Sequence, residues 1–312
     1  MREIKSKDQE NDVWAPMSRD EPSFLAQMGV MEGMTEHSTS RNLELLPTFT
    51  AIKFGAPDET AGRCETGDTE PDAGLNVKYG VTSNLIADVT VNPDFSQIES
   101  DRPQIEVNRR FPLFFPERRP FFLEGAEIFS VRGPVAFVHT RTIVDPRLGA
   151  KLSGKAGSTA LGVLFADDEA PGNFDDPTGV GFGQTAKTFI GRVKHDLYTE
   201  SHIGGMFTNR LFDFDGVLQD ENTSAGVEFE FANSLSLGVH ASRDLERFEG
   251  LDFIQNRVNV EGRVNTNRAV QLGAGFNVGD QLFFDVENPF LGRGLGGISA
   301  RPCALCPDSS RA

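Results

Sequence analysis

The sequence predicts an all-β protein: an antiparallel, up-and-down, outer-membrane-type β-barrel that is incomplete, with about 11 visible strands and a long inserted segment. Two observations lead there. Among 312 residues, 32 are Gly and 26 are Phe, whereas Trp and Tyr are rare. Apolar and polar residues also alternate with period two over most of the chain, as they do in strands with one buried and one polar face. No apolar run is long enough, at about 18 residues, for a transmembrane helix.

The strand pattern begins near Leu43, after a polar stretch over 1–42 that holds no regular period. A first strand with a break at Pro47 is predicted over 43–54, because proline cannot donate to a sheet ladder. The next unit is a hairpin with a turn at 82–84. The apolar residues of this hairpin alternate with polar ones and comprise Leu75, Val77, Tyr79, Leu85, Ala87, Val89 and Val91.

Four further hairpins repeat this unit, with turns at 156–158, 198–200, 232–234 and 266–268. Each strand spans about 7–11 residues. The hairpin over 227–241 is the clearest case. One of its faces is expected to point outward and carries Val227, Phe229, Phe231, Leu235, Leu237 and Val239; the other is expected to point inward and carries Glu228, Glu230 and His240. Gly238, Gly273 and Gly275 fall on polar faces, where crowding inside a closed sheet favours residues without side chains.

The connections favour a membrane barrel over a soluble sandwich. Short turns alternate with five long polar links, predicted at 56–73, 93–146, 166–186, 210–224 and 243–256. Short turns at one end and long loops at the other are typical of outer-membrane barrels. A soluble barrel would turn its apolar face inward instead, whereas so many strands enclose a lumen too wide for side chains to fill. We therefore expect all five turns at one end of the sheet and the apolar faces in contact with lipid.

The link over 93–146 departs from the repeat, because a loop this long is usually functional or folded in its own right. Phe and Arg cluster there beside acidic residues and prolines, and a patch of this kind seeks burial. We expect an ordered plug or cap on the polar inner wall or rim, with Phe against Phe and Arg paired with Glu; deleting it should raise the passive flux of small solutes. The candidate binding residues are Asp94, Glu99, Asp101, Arg109, Arg110, Phe114, Phe115, Glu117, Arg118, Arg119, Phe121, Phe122 and Glu124.

The residues of this segment also allow two other functions. Interleaved Arg and Phe can stack nucleic-acid bases, but the acidic neighbours and a net charge of −16 argue against a nucleic-acid partner. The pair Glu99 and Asp101 offers the two carboxylates that glycoside hydrolysis requires, although chance pairs are common in an acidic chain. No nucleophile motif or phosphate loop is present, so no catalytic residue is assigned and an enzyme is the weaker interpretation.

No metal or cofactor is predicted. Cys303 and Cys306 form one C-x-x-C without a second pair or a histidine partner. The acidic stretch 167–176 matches no calcium-loop spacing and is interpreted as a solvated loop. The histidines show no ligand spacing.

Two stretches carry a family resemblance: NPDFSQIESD from Asn92 and RFPLFFPERRPFFLEGAEIF from Arg110. They are similar to the signature of bacterial proteins with the domain of unknown function 5916, and the similarity extends over about residues 40–290. The resemblance implies an outer-membrane β-barrel region that follows a signal peptide and a family 9 carbohydrate-binding-like module. It carries over no catalytic residues.

The resemblance also implies a division of the chain and a role. Residues 1–42 are expected to be the remnant of the module and its linker, 43–290 the barrel region with the plug or cap at 93–146, and 291–312 an irregular tail. The chain is thus expected to be a fragment without its signal peptide, located in the cell outer membrane. Its expected partners are outer-membrane lipid and a carbohydrate or polymer ligand, in ligand passage, docking or display. The alternatives are a carboxylate-dependent hydrolase and a soluble sugar-binding β-protein.

Overall fold

A computed structural model describes residues 42–58, 63–93, 95, 116–131, 138–169, 183–198, 201–214, 217–231, 235–248, 251–267, 270–285 and 288–300. The expected module remnant lies outside these residues except for Asn42, as do both cysteines of the C-x-x-C pair.

The described chain forms one sheet of 12 antiparallel strands, each hydrogen-bonded to its neighbours in sequence. The strands are β1 (Leu43–Asp58), β2 (Arg63–Thr82), β3 (Leu85–Val91), β4 (Pro146–Ala156), β5 (Thr159–Asp168), β6 (Thr185–Tyr198), β7 (Ser201–Phe214), β8 (Val217–Phe231), β9 (Leu235–Phe248), β10 (Leu251–Asn267), β11 (Val270–Phe283) and β12 (Phe290–Ala300). This order confirms the all-β, up-and-down architecture. No pairing joins β1 to β12 within the described ranges, so the sheet is not closed.

The eleven predicted strands correspond to β1–β11. The structure adds a twelfth strand, β12, which the sequence analysis did not predict. The expected irregular tail over 291–312 is wrong at its start, because residues up to Ala300 pair with β11. Gly292, Gly294 and Gly296 occupy alternate positions of β12 and leave the middle of one face, between Phe290 and Ile298, without side chains. The period-two hydrophobic signal is therefore missing, although backbone pairing is intact.

The turns and links fall into two groups. All five predicted turns separate the expected strand pairs, and consecutive antiparallel pairing places them at one end of the sheet, as predicted. The predicted long links at 56–73, 210–224 and 243–256 are wrong, because the strands continue through most of them and leave only 59–62, 215–216 and 249–250 between them. In these strand ends apolar residues fall next to each other, as in Leu211-Phe212 and Phe253-Ile254, or are absent, so the period-two pattern does not extend through them although backbone pairing does. The strict alternation of short and long connections therefore does not hold.

The two faces of the sheet differ as predicted. Val227, Phe231, Leu235, Leu237 and Val239 are 41–43% exposed on one face. On the other face His240 is buried, and Glu228 forms an ion pair with the buried Arg192. We call these the outer and the inner face.

Registered pairing aligns the outer apolar residues into a row across β5–β12. The row comprises Val163, Gly191, Phe207, Ala225, Ala241, Val258, Val278 and Leu295. Two residues further along the strands β7–β10, the same face carries a polar row of Asn209, Thr223, Arg243 and Asn256. The outer face is thus an apolar band with a polar border.

The described part of the inserted segment lies on the inner face. It includes a short helix at Pro120–Leu123 and 3-10 helices at Ala126–Phe129 and Thr140–Thr142. Within the described ranges, none of the helices has the length and apolar character needed to cross a membrane. The buried core is formed between these short helices and strands β5–β7.

Candidate functional site

The candidate site is the part of the inserted segment, 93–146, that the structure describes, namely 93, 95, 116–131 and 138–146, where it packs on the inner wall. Proline and glycine set its local structure. Pro120 begins the short helix at the position where its missing N–H costs nothing. Gly125 then takes a φ of 68°, a left-handed conformation that reverses the chain into the 3-10 helix at Ala126–Phe129. A Cβ at Gly125 would also lie 2.9 Å from the Ser153 hydroxyl of the wall. Residues 116–131 of the segment are therefore a compact folded unit.

Apolar contacts hold the segment to the wall. Phe122 and Ile143 are 3% and 1% exposed and belong to one cluster with wall residues. The wall members of the cluster are Leu164, Ala166, Ile190 and Met206. Phe121 and Phe122 meet edge to face with ring centroids 5.0 Å apart, as expected for packed phenylalanines. The wall was expected to be polar, and here that expectation is wrong. The sequence signal is the unbroken apolar run Leu161–Ala166 in β5, which is typical of a strand covered on both faces.

Two wall glycines make room for the phenylalanines. A Cβ at Gly149 would lie 2.9 Å from the ring of Phe121, and one at Gly162 would lie 2.8 Å from Ile128 and 2.9 Å from the ring of Phe129. Both approaches are closer than packed carbon atoms permit. Glycine on the inner face was predicted to mark crowding, and at Gly238 it does, because a Cβ there would lie 3.2 Å from His240 Nε2. Gly149 and Gly162 are the glycines crowded by the segment.

We expect Gly162→Val to destabilise the packed segment by about 1–3 kcal/mol, because the added side chain overpacks its contact with Ile128 and Phe129. Chemical unfolding of the chain refolded in detergent micelles would measure this. Gly205→Val is the matched control, since a Cβ at Gly205 has open space around it on the outer face. Equal losses of unfolding free energy in Gly162→Val and Gly205→Val would contradict this packing.

Arg119 is the polar centre of the segment and is 4% exposed. Its Nη2 lies 2.8 Å from Glu117 Oε2 and donates to the carbonyl oxygen of Thr140, and its Nη1 donates to that of Ile143. The guanidinium also stacks over Phe122, with 4.2 Å between its central carbon and the ring centroid. Arg119 therefore joins the two described parts of the segment, 116–131 and 138–145. The predicted pairing of Arg119 with Glu117 is confirmed.

Two lysines of the wall fasten the segment from the other side. Lys151 of β4 is buried, lies 3.2 Å from Asp88 Oδ2 and donates to the carbonyl oxygens of Phe121 and Glu124. Lys78 of β2 pairs with the Glu124 carboxylate at 2.6 Å. Glu124 thus finds a lysine of the wall rather than an arginine. Sequence reasoning missed Lys78, Asp88 and Lys151, although each occupies a polar position in the period-two pattern.

The Glu117 carboxylate is held in its charged form. Burial alone would raise its pKa, but hydrogen bonds from Arg119 and Thr140 outweigh burial and lower the pKa below its ordinary value of 4.5. A carboxylate that accepts several hydrogen bonds and holds an arginine serves as an anchor and is poorly suited to be a general acid near neutral pH.

We expect the segment to loosen in acid. A depressed pKa contributes stability that is complete above the ordinary value of 4.5 and is lost as pH falls through the lower, folded-state pKa. Hydrogen exchange of the amides over 117–131 between about pH 7 and pH 3 would follow this loss. Glu117→Gln should remove most of the pH dependence, whereas Glu127→Gln, at an exposed position, should leave it unchanged. Exchange that is equally pH-dependent in Glu117→Gln would contradict the assignment.

The other predicted site residues divide by whether they are described. Glu117, Arg119, Phe121, Phe122 and Glu124 come together on the inner wall, and Arg118 lies half-buried beside them. The remaining candidates lie outside the described residues: Asp94, Glu99, Asp101, Arg109, Arg110, Phe114 and Phe115. The carboxylate pair of the hydrolase alternative is among them. In the described part of the chain, no group of three or more His, Cys, Asp or Glu side chains is arranged to hold a metal ion.

Three comparisons with known proteins were informative to different degrees. No curated protein matches the chain. Among solved structures, the chain is similar to OmpTdeltaL8, a loop L8 deletion mutant of OmpT, an outer membrane protein of Vibrio cholerae. That match has a TM-score of 0.30 and 11% sequence identity, and it covers 84% of this chain and 99% of the other. Residues 43–143 match the model of the domain of unknown function DUF5916, which confirms the resemblance over this part of the chain.

Proposed function

We propose that the chain is the wall and inner segment of an outer-membrane β-barrel protein, in which the inserted segment narrows a polar lumen where ligands linked to carbohydrate or polymer use pass or dock. The observation that carries the proposal is the apolar row on the outer face, which runs across eight strands and includes Phe207, Val258, Val278 and Leu295 at 43–78% exposure. Soluble proteins rarely leave so continuous an apolar surface open to water.

The inner face supports the same proposal. It carries charged residues that pair with one another, such as Arg192 with Glu228 and Arg257 with Asp244. A polar interior under an apolar exterior is the arrangement of membrane barrels, whereas a soluble barrel packs its apolar residues inside. A spanning sheet must also have both edges paired. The proposal therefore requires that β1 and β12 find partners in the membrane.

Lipid contact can be tested at two adjacent residues of β9. In a Trp14→Phe background, a tryptophan at Leu237 would lie on the outer face and one at Ser236 on the inner face, at nearly the same depth. With the chain refolded into vesicles of brominated phospholipid, Leu237→Trp should be strongly quenched and Ser236→Trp should be quenched instead by aqueous acrylamide. Equal lipid quenching at the two positions, or none at Leu237→Trp, would overturn the proposal.

A further inference from the structure

A cleft of about 320 Å³ lies between the inserted segment and the inner wall of β6–β9. Its volume is near the lower end of the range for small-molecule sites, about 300–1,000 Å³. The residues that line it include Ile143 from the segment and Thr188, Ile190, Arg210, Glu221 and Asp244 from the wall.

A β-bulge builds one side of the cleft. Arg210 of β7 pairs with Asn222 of β8, but Leu211 pairs with Asp220, so Glu221 is left without a partner across the ladder. In a regular strand Glu221 and Asn222 would face opposite sides of the sheet, yet Glu221 Oε2 lies 3.3 Å from Nε of Arg210, the residue that pairs with Asn222 across the ladder. The bulge thus turns a carboxylate away from the outer face and into the cleft. Bulges commonly re-aim side chains in this way beside binding sites.

The cleft also holds buried polar atoms that lack hydrogen-bond partners among the described residues. They are the Thr188 hydroxyl, Arg210 Nε and Glu221 Oε2, and the latter two lie 3.3 Å apart in an ion pair. Thr188 itself is 8% exposed. Buried polar groups are normally satisfied. A hydroxyl, a cationic donor and an anionic acceptor in one cleft would all be satisfied by a ligand that both donates and accepts hydrogen bonds.

The charges around the cleft balance. Arg210 lies beside Glu221, and Asp244 is paired with Arg257. An anionic or cationic ligand would have to break one of these pairs, whereas a neutral ligand would not. Ile143 and Ile190 add an apolar side against which the C–H face of a ring can lie.

We propose that this cleft binds a small neutral polyhydroxylated solute of about the size of a monosaccharide or cyclic polyol. The inference rests on the proposed function in one respect: it takes the inner face to be the polar lumen, open to solutes. It goes further by naming the class of ligand and the residues that recognise it.

Titration calorimetry on the full chain, refolded in detergent micelles, tests the proposal with two neutral probes, glucose and myo-inositol, and two charged counterparts, gluconate and glucosamine. At least one neutral probe should bind saturably and more tightly than both charged probes. Thr188→Val should weaken that binding about two- to tenfold, the usual share of one neutral hydrogen bond, and Glu221→Gln about ten- to a hundredfold.

Thr48→Val is the matched control. The Thr48 hydroxyl is also buried without a hydrogen-bond partner among the described residues, but it lines a different cavity beside β2 and β3. Unchanged affinity in this variant supports the site. No saturable binding of either neutral probe, tighter binding of a charged probe, or equal losses in Thr48→Val and Thr188→Val would overturn it. If Leu237→Trp is quenched by lipid but neither neutral probe binds, this inference fails and the proposed function stands. If a neutral probe binds but Leu237→Trp is not quenched by lipid, the binding site stands and the proposed function fails.

Discussion

Replacing Arg119 with alanine is expected to destabilise the inserted segment by about 3–5 kcal/mol, the range for breaking a buried ion pair by removing one partner. The substitution leaves the Glu117 carboxylate, whose side chain is 13% exposed, without its cation. It also removes the hydrogen bonds to the carbonyl oxygens of Thr140 and Ile143 and the stacking on Phe122.

Hydrogen exchange resolved along the chain would measure the effect. Amide protection over 117–131 and 139–143 should fall in Arg119→Ala, while that of β5–β7 is largely kept because each strand remains paired on both sides. In Arg119→Lys, amide protection over these residues should lie between that of Arg119→Ala and that of the unmodified chain, since lysine keeps the charge but not the planar fork of donors. The matched control is Arg247→Ala, which breaks an exposed pair with Asp252 and should cost at most about 1 kcal/mol. Similar effects at Arg119 and Arg247 would show that Arg119 is not the polar centre of the segment.

Phe229→Arg on the outer face of β8 is the second large effect that we expect. If the apolar band contacts lipid, an arginine near its middle should cost about 2–4 kcal/mol, because a charged side chain is poorly solvated by hydrocarbon. Phe229 lies between Ile203 and Leu237 on the neighbouring strands, with no carboxylate directly opposite. The cost should therefore not be offset by a new ion pair.

Ser236→Arg is the control for this prediction, because it introduces the same charge on the inner face opposite Glu230. The two variants would be compared by unfolding from lipid vesicles and again from a short-chain detergent. The difference in unfolding free energy between Phe229→Arg and Ser236→Arg should be larger in the lipid vesicles than in the detergent. An equal cost at both positions, or a well-tolerated Phe229→Arg, would contradict lipid contact at the outer face.

The strands and the segment differ in how far local sequence predicts them. Period-two alternation located β1–β11 and assigned the faces of β8 and β9 correctly, because side-chain direction along a strand follows from local backbone geometry. It missed β12, where alternate glycines hide the pattern. It also took several strand ends for loops, because neighbouring apolar residues such as Leu211-Phe212 and Phe253-Ile254 break the period-two pattern there.

By itself, the sequence determined the all-β class, the strand order and the presence of a Phe- and Arg-rich inserted segment, all of which follow from local patterns and from chain order. Only the tertiary structure decided which residues meet across long sequence separations. It brought Lys151 to the carbonyl oxygen of Phe121, placed Gly162 beneath Phe129, and used a bulge to turn Glu221 toward Arg210. These contacts depend on register and on packing between distant parts of the chain, and period-two alternation contains no information about either.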